Sequence, residues 1–166
     1  IDTVILDSVP IYDTTALPQP SIIRSTIIEN SKVYTEWTGT SYTLNPLNEY
    51  EIYRAVNEGS FVLIAVLDSL FNDYTDDNVD VFNNKYDYLI KSKNSCDVSS
   101  QNSNNGSSIL LRYNRPNDFE TKIEWNFYNQ WDSGVKEYKI QKLNQNNQWE
   151  TINIIDENTN ELLIDQ

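Results

Sequence analysis

Apolar and polar residues alternate along this chain in short bursts, not in helical turns. Ser21–Ile28 is the first clear run. Lys32–Trp37 follows, with Val33, Thr35 and Trp37 on one face and Lys32, Tyr34 and Glu36 on the other. A period of two over such a length marks a half-buried strand, because successive side chains of an extended backbone point to opposite faces. The same reading predicts strands at Glu49–Arg54, Phe61–Val66 and Asp73–Thr75. It predicts another at Lys85–Lys91, with Tyr86, Tyr88 and Ile90 inward and Lys85, Asp87, Leu89 and Lys91 outward. Asn57-Glu58-Gly59-Ser60 has turn chemistry and joins the third and fourth strands as a hairpin. Helical periodicity is weak throughout. Asp118–Glu124 is the one stretch with any claim to it, and its β-rich flanks argue otherwise.

The pattern then repeats. Glu36-Trp37 returns as Glu124-Trp125, 88 residues on (125 − 37), and Glu49-Tyr50-Glu51-Ile52 returns as Glu137-Tyr138-Lys139-Ile140 at the same step. Phe61 becomes Trp149, Ile64 becomes Ile152, Val66 becomes Ile154 and Asp68 becomes Asp156, all without a gap. A period near 90 exceeds the roughly 20–50 residues of solenoid repeats and suits a β-domain of about 100 residues. The expected fold is all-β: tandem β-sandwiches. Residues 1–18 are read as an end strand (Ile1–Leu6) and a proline-punctuated linker from a preceding region, 19–107 as the first module and 108–166 as the second. The second copy supplies strands at Ile109–Tyr113, Lys122–Phe127, Glu137–Lys142, Trp149–Ile154 and Leu162–Ile164. Nothing in it answers to Lys85–Lys91 or to the strand after that, so the second sandwich is expected to be incomplete. The start at Ile1 and these missing strands read as cuts in a larger polypeptide. The polar run 99–108 is expected to be a flexible seam.

Composition narrows the function. The chain has 166 residues, 39% hydrophobic and 12% aromatic, which is enough for small cores. A net charge of −13 argues against nucleic acid and anionic lipid surfaces, since both need clustered Lys and Arg. No run of 18 or more apolar residues exists to span a membrane. Histidine is absent, which removes Ser-His-Asp and Cys-His nucleophile systems and the commonest metal ligand. Cys96 is the only cysteine; it cannot form an internal disulfide and is expected to be a free, partly buried thiol. Four glycines offer no phosphate-binding loop. Paired carboxylates are not removed by counting, given 25 acids, but acids scattered over a sandwich serve solvation. The expectation is a non-enzymatic protein without a cofactor.

Three groups stand out as candidate sites. Asp73, Asp76, Asp77 and Asp80 crowd one corner with oxygen-rich neighbours and are a weak Ca²⁺ candidate; the spacing lacks the glycine and distal glutamate of an EF-hand, and a solvated corner explains it as well. Trp37 and Trp125 fall on inward faces, where packing is the default. Trp131 lies in a loop beside Tyr128, and the pair either stacks on a sugar ring or anchors the loop to its own domain.

The order of Trp37, Tyr50 with Ile52, Phe61, and Tyr86 with Tyr88 resembles fibronectin type III-like modules. That resemblance places Tyr86 at the tyrosine corner, whose hydroxyl bonds back to the chain. Segments such as Ile123-Glu124-Trp125-Asn126 and Gln130-Trp131-Asp132-Ser133-Gly134-Val135 resemble repeats upstream of the gliding-motility-associated C-terminal sorting domain. Those repeats occur in surface and secreted proteins of Bacteroidota exported by type IX secretion. The linker Asp13-Thr14-Thr15-Ala16-Leu17-Pro18 resembles their joints. In such proteins a cysteine within the Tyr-x-Tyr often pairs with a later one; here Asp87 takes the first position and Cys96 remains. Tripeptides at Asp2-Thr3-Val4, Asp7-Ser8-Val9, Asp13-Thr14-Thr15 and Asp68-Ser69-Leu70 resemble O-glycosylation acceptors of that phylum, which implies sugars on Thr3, Ser8, Thr14 and Ser69. The resemblance implies an extracytoplasmic spacer or interaction region whose partners are other proteins or further domains of its own chain. Two alternatives stand beside it: a structural subunit of the secretion or gliding machinery, and a glycan-binding module.

Overall fold

The computed structural model describes residues 17–39, 47–128, 131 and 133–165. Those residues form strands and turns and no helix. In the first unit, β1 (Ser21–Ile28), β2 (Lys32–Thr38) and β5 (Asp73–Asp76) make one sheet in the order β1-β2-β5. Facing it, β3 (Leu47–Val56), β4 (Val62–Asp68), β6 (Tyr86–Asn94) and β7 (Gly106–Ser107) make a second in the order β4-β3-β6-β7. All pairs are antiparallel. This three-on-four order is that of a fibronectin type III-like sandwich. The alternation seen in the sequence is the cause: Val33, Thr35 and Trp37 of β2 are all wholly buried, as are Tyr50, Ile52, Tyr88 and Ile90 of the opposing sheet.

The second unit repeats this up to its fifth strand. β8 (Leu111–Asn117), β9 (Glu120–Trp125) and β12 (Glu161–Asp165) form a sheet in the order β12-β9-β8. Opposite stand β10 (Glu137–Leu143) and β11 (Trp149–Asp156), paired with each other and, among the described residues, with no further strand. The 88-residue step is kept in the hydrogen-bond register itself. Tyr50 opposes Leu67, and Tyr138 opposes Ile155; a bulge follows Ile52 in one hairpin and Ile140 in the other. Glu36 opposes Asp73, and Glu124 opposes Glu161. Even single bonds recur: the Trp37 amide donates to Asn72 O at 2.9 Å and the Trp125 amide to Asn160 O at 3.0 Å. Each tryptophan packs edge-on or tilted against its tyrosine, with ring centroids 5.4 Å apart for Trp37–Tyr50 and 5.5 Å for Trp125–Tyr138. The tandem β-sandwich arrangement is therefore present.

Two interior features hold the first unit in one arrangement. The Tyr86 hydroxyl accepts a hydrogen bond from the Asp80 amide at 2.6 Å, the expected tyrosine corner. Asp76 is buried on β5 and takes Arg54 Nη1 at 2.8 Å and the Tyr88 hydroxyl at 2.9 Å on one oxygen, while its other oxygen accepts the Asn78 amide. Burial, and then the charge of Asp76, push the Tyr88 phenol far above its ordinary pKa.

Several expectations need correction. The polar run 99–108 is not a loose seam but the edge of the sandwich. Amides of Ser100, Ser103 and Ser108 donate to carbonyls of Ser92, Ile90 and Tyr86 on β6. The hydroxyls of the same three serines accept from the amides of Ser92, Ile90 and Tyr86 at 2.9–3.0 Å. Side-chain oxygens thus do the work of a backbone ladder, so small polar residues suit the position better than alternating apolar ones. Asp87 is buried rather than outward, bonded by Ser107 and Asn105 and 3.3 Å from Lys85. Cys96 is exposed, because it sits in the turn after β6 rather than on an inward strand position. Asp118 and Phe119 make the hairpin turn between β8 and β9, as the β-rich flanks suggested. The Ile1–Leu6 strand lies outside the described residues, and packing is already tight at Leu17 and Pro20.

Candidate functional site at the joint between the units

Almost no chain separates the two units. Ser108 still bonds Tyr86 of β6 with both its amide and its hydroxyl, and β8 begins at Leu111. Between them, Leu110 is buried and Ile109 packs against the second core. A joint this short and this apolar has little freedom, because swinging it would expose both side chains. Asn126 fastens it. Its side-chain carbonyl accepts the Leu110 amide at 2.6 Å, and its side-chain amide donates to Ser108 O at 3.1 Å. Thr38, 88 residues earlier, holds the start of β1 in the same manner through Ser21.

The second unit also reaches back across the joint. The segment between β9 and β10 carries Tyr128 and Trp131, whose rings meet edge-to-face at 4.9 Å. Trp131 Nε1 donates to Ile23 O on β1 at 3.2 Å, and the Tyr128 hydroxyl accepts the Ser25 amide at 3.4 Å. Burial raises the Tyr128 phenol above its ordinary pKa, while the Ser25 amide and the Arg24 charge offset part of that rise. Tyr128 is locked to its own unit as well, since its amide donates to the Tyr138 hydroxyl at 3.0 Å. A groove of about 430 Å³ runs along this contact, lined by Arg24, Thr26, Ile27, Trp131, Val135 and Lys139 among others. Arg24 is held at its rim by Glu36 at 2.9 Å and by the Tyr34 ring.

The remaining candidate residues fall elsewhere. Asp76 is committed to Arg54 and Tyr88, and Asp80 accepts the Phe82 amide and the Asn83 side chain. Among the described residues, no three acidic or cysteine side chains gather in a metal-holding arrangement, so Asp73, Asp76, Asp77 and Asp80 are not brought together. Ser69 lies half-exposed in the turn after β4, its amide bonded to Asn48 O. Thr3, Ser8 and Thr14 are outside the described residues. The sequence reading singled out Tyr128 and Trp131 but missed Ser108, Leu110 and Asn126. The equivalence of Asn126 with Thr38 under the 88-residue step was the available signal.

No family model matches the sequence, and no curated protein is similar to it. Solved structures are. A Fn3-like protein from Clostridium thermocellum is 19% identical with a TM-score of 0.46, over 63% of this chain and 99% of its own. The two-domain fibronectin type III segment of chicken tenascin is 8% identical with a TM-score of 0.44, over 88% of this chain and 82% of its own. The FN1–FN3 domains of chicken CNTN1 are 13% identical with a TM-score of 0.44, over 90% and 57%. Among the described residues, no helix is long and apolar enough to cross a membrane.

Proposed function

We propose that this chain is a non-enzymatic, extracytoplasmic spacer and interaction region of a larger protein. Its two modules, 19–107 and 108–166, are held at a set angle by the Ser108–Leu110 joint. The observation that carries this reading is the return contact: Trp131 and Tyr128 of the second unit bond to β1 of the first. A spacer that transmits position needs such a brace, since a short linker between bare sandwiches leaves twist and bend uncontrolled. The polar atoms of both rings are directed at β1, which favours an anchoring role over a sugar platform. The finer assignment, a type IX-exported or gliding-associated surface protein of Bacteroidota with O-linked sugars at Thr3, Ser8, Thr14 and Ser69, rests on sequence resemblance.

The test is a distance distribution across the joint. Spin labels at Glu58→Cys and Asn146→Cys, in a Cys96→Ser background, should give one narrow inter-unit distance. Trp131→Ala should broaden it while leaving the melting temperature of the first unit unchanged. A distribution that is broad from the start overturns the brace.

A further inference from the structure

The strand β4 ends the four-stranded sheet of the first unit, and no strand lies against its outer side among the described residues. Both of its chain neighbours are in place: β3 pairs with it, and the turn after it leads to β5 in the facing sheet. Its sequence is unlike that of a protected edge. Residues 61–67 are all apolar, Val62 and Val66 are 62% and 49% exposed, and Leu70 in the next turn is 89% exposed. Solvent-facing edges are ordinarily blunted by charged or polar residues, because free backbone groups beside apolar side chains form a template for pairing. The second unit follows that rule: the 88-residue step sets Glu150, Thr151 and Asn153 in place of Val62, Leu63 and Ala65. We infer that β4 is a homotypic interaction edge, on which the β4 of a second copy of this chain pairs antiparallel about a two-fold axis.

The strand is built to match itself. Ala65 opposes Ile52 and Leu63 opposes Tyr53, so Ile64 is an extra residue in the middle of β4. This bulge inverts the alternation at the centre of the strand. Leu63 and Val66, opposite Tyr53 and Glu51, stand on the outer face, where the Tyr53 hydroxyl donates to Glu51 at 2.8 Å. Val62 and Leu67, opposite Arg54 and Tyr50, stand on the inner face, where Arg54 holds Asp76 and Tyr50 is wholly buried. Ile64 and Ala65 between them both pack on the core. A two-fold axis between Ile64 and Ala65 therefore keeps outer residues with outer and inner with inner. It sets Leu63 against Val66, Val62 against Leu67 and Ile64 against Ala65 of the other copy. The charges agree with a second copy as the occupant. Asp68 then lies opposite Phe61 and Glu58 opposite Phe71, so no carboxylate on this edge faces another. One strand and its flanking turns make a contact smaller than the roughly 1,600 Å² of a standard interface, so association is weak and reversible. The net charge of −13 on each copy opposes it at long range, so added salt tightens it.

The experiment is sedimentation equilibrium of the full chain at low and high salt. The mass is expected to rise from 19.3 kDa towards twice that value between about 10 μM and about 1 mM, at lower concentration in high salt. Val66→Lys should weaken association by about tenfold or more, whereas Ile154→Lys, the same change on β11, should leave it unaltered. In a Cys96→Ser background, a mixture of Leu63→Cys and Val66→Cys chains should cross-link on mild oxidation faster than a mixture of Leu63→Cys and Ile154→Cys chains. Hydrogen exchange of amides 62–68 should slow with association. A chain that stays monomeric to about 1 mM at both salt concentrations overturns the inference. So does a dimer that survives Val66→Lys, because it is then built on another surface. Amides 62–68 that are protected in the monomer, and released when residues 1–16 are removed, overturn it too, since the chain then covers its own edge. Equal cross-linking of the two mixtures rejects the two-fold register.

Discussion

Trp37, Tyr50 and Ile52 are fully buried in the first unit, whereas their counterparts Trp125 and Tyr138 are 5% and 9% exposed and Ile140 is half-buried. The pairing that positions them is the same in both units, down to the bulge after Ile52 and Ile140. What differs is the cover. In the first unit Tyr88 and Ile90 arrive on β6 and close the core from the side; in the second, β10 and β11 face the β8-β9-β12 sheet without them. Register is thus a local property of paired strands and their turns, while dryness of the core depends on a later strand. Apolar surface follows suit: Trp149, Ile152 and Ile154 on β11 are all more than 40% exposed.

The largest effect that tests this contrast is cavity formation at the two tryptophans. Trp37→Ala should cost the first unit about 3–5 kcal/mol, the usual range for emptying a large aromatic site. Trp125→Ala should cost clearly less, because fewer neighbours close around it. Denaturant titration of each variant, followed by residue-resolved exchange, separates the units; equal losses would break the comparison.

Next in size is the interior ion pair of Arg54 with Asp76, whose positions are taken by Lys142 and Ile164 in the second unit. Asp76→Ala leaves Arg54 partly buried without its acceptor and should destabilise the first unit by about 3 kcal/mol. Ile164→Ala, the equivalent change, removes a partly buried aliphatic and should cost about 2 kcal/mol or less. If the order reverses, the polar centre of the first unit contributes less than its geometry indicates.

The smallest effect sharpens the contrast through pH. Burial, with Asp76 beside it, holds the Tyr88 phenol above the ordinary 10.0, so folding favours its neutral form. Its contribution is complete below pH 10 and falls as pH rises further, because the unfolded chain ionises while the folded one does not. Tyr53 and Tyr74, also raised by burial first, act in the same direction. Urea midpoints measured from pH 9 upward should decline for the first unit, and Tyr88→Phe should flatten that decline. A slope unaffected by Tyr88→Phe would assign the pH dependence to other groups.

Tyr128 and Trp131 mark a limit of sequence reading. Their place in a loop was legible, and so was a choice between a sugar and an anchor; that the anchor lies on the other unit was not. Contacts across more than 100 residues leave no periodic trace, since each partner is a backbone atom that any residue could supply. Ser100, Ser103 and Ser108 show the same limit. A segment that pairs with β6 through hydroxyls as well as amides needs no apolar alternation, so it reads as a loop. Asp76 and Asp87 likewise read as surface acids until Arg54, Tyr88, Ser107 and Lys85 are seen around them.

By itself the sequence determined most strand positions, most inward faces and the 88-residue repeat. These depend on local periodicity and on side-chain volume, which are written residue by residue. Only the tertiary structure decided which polar residues are interior and how the joint is braced. Those outcomes depend on what lies opposite in space, and no single position in the chain encodes its neighbour across the sheet.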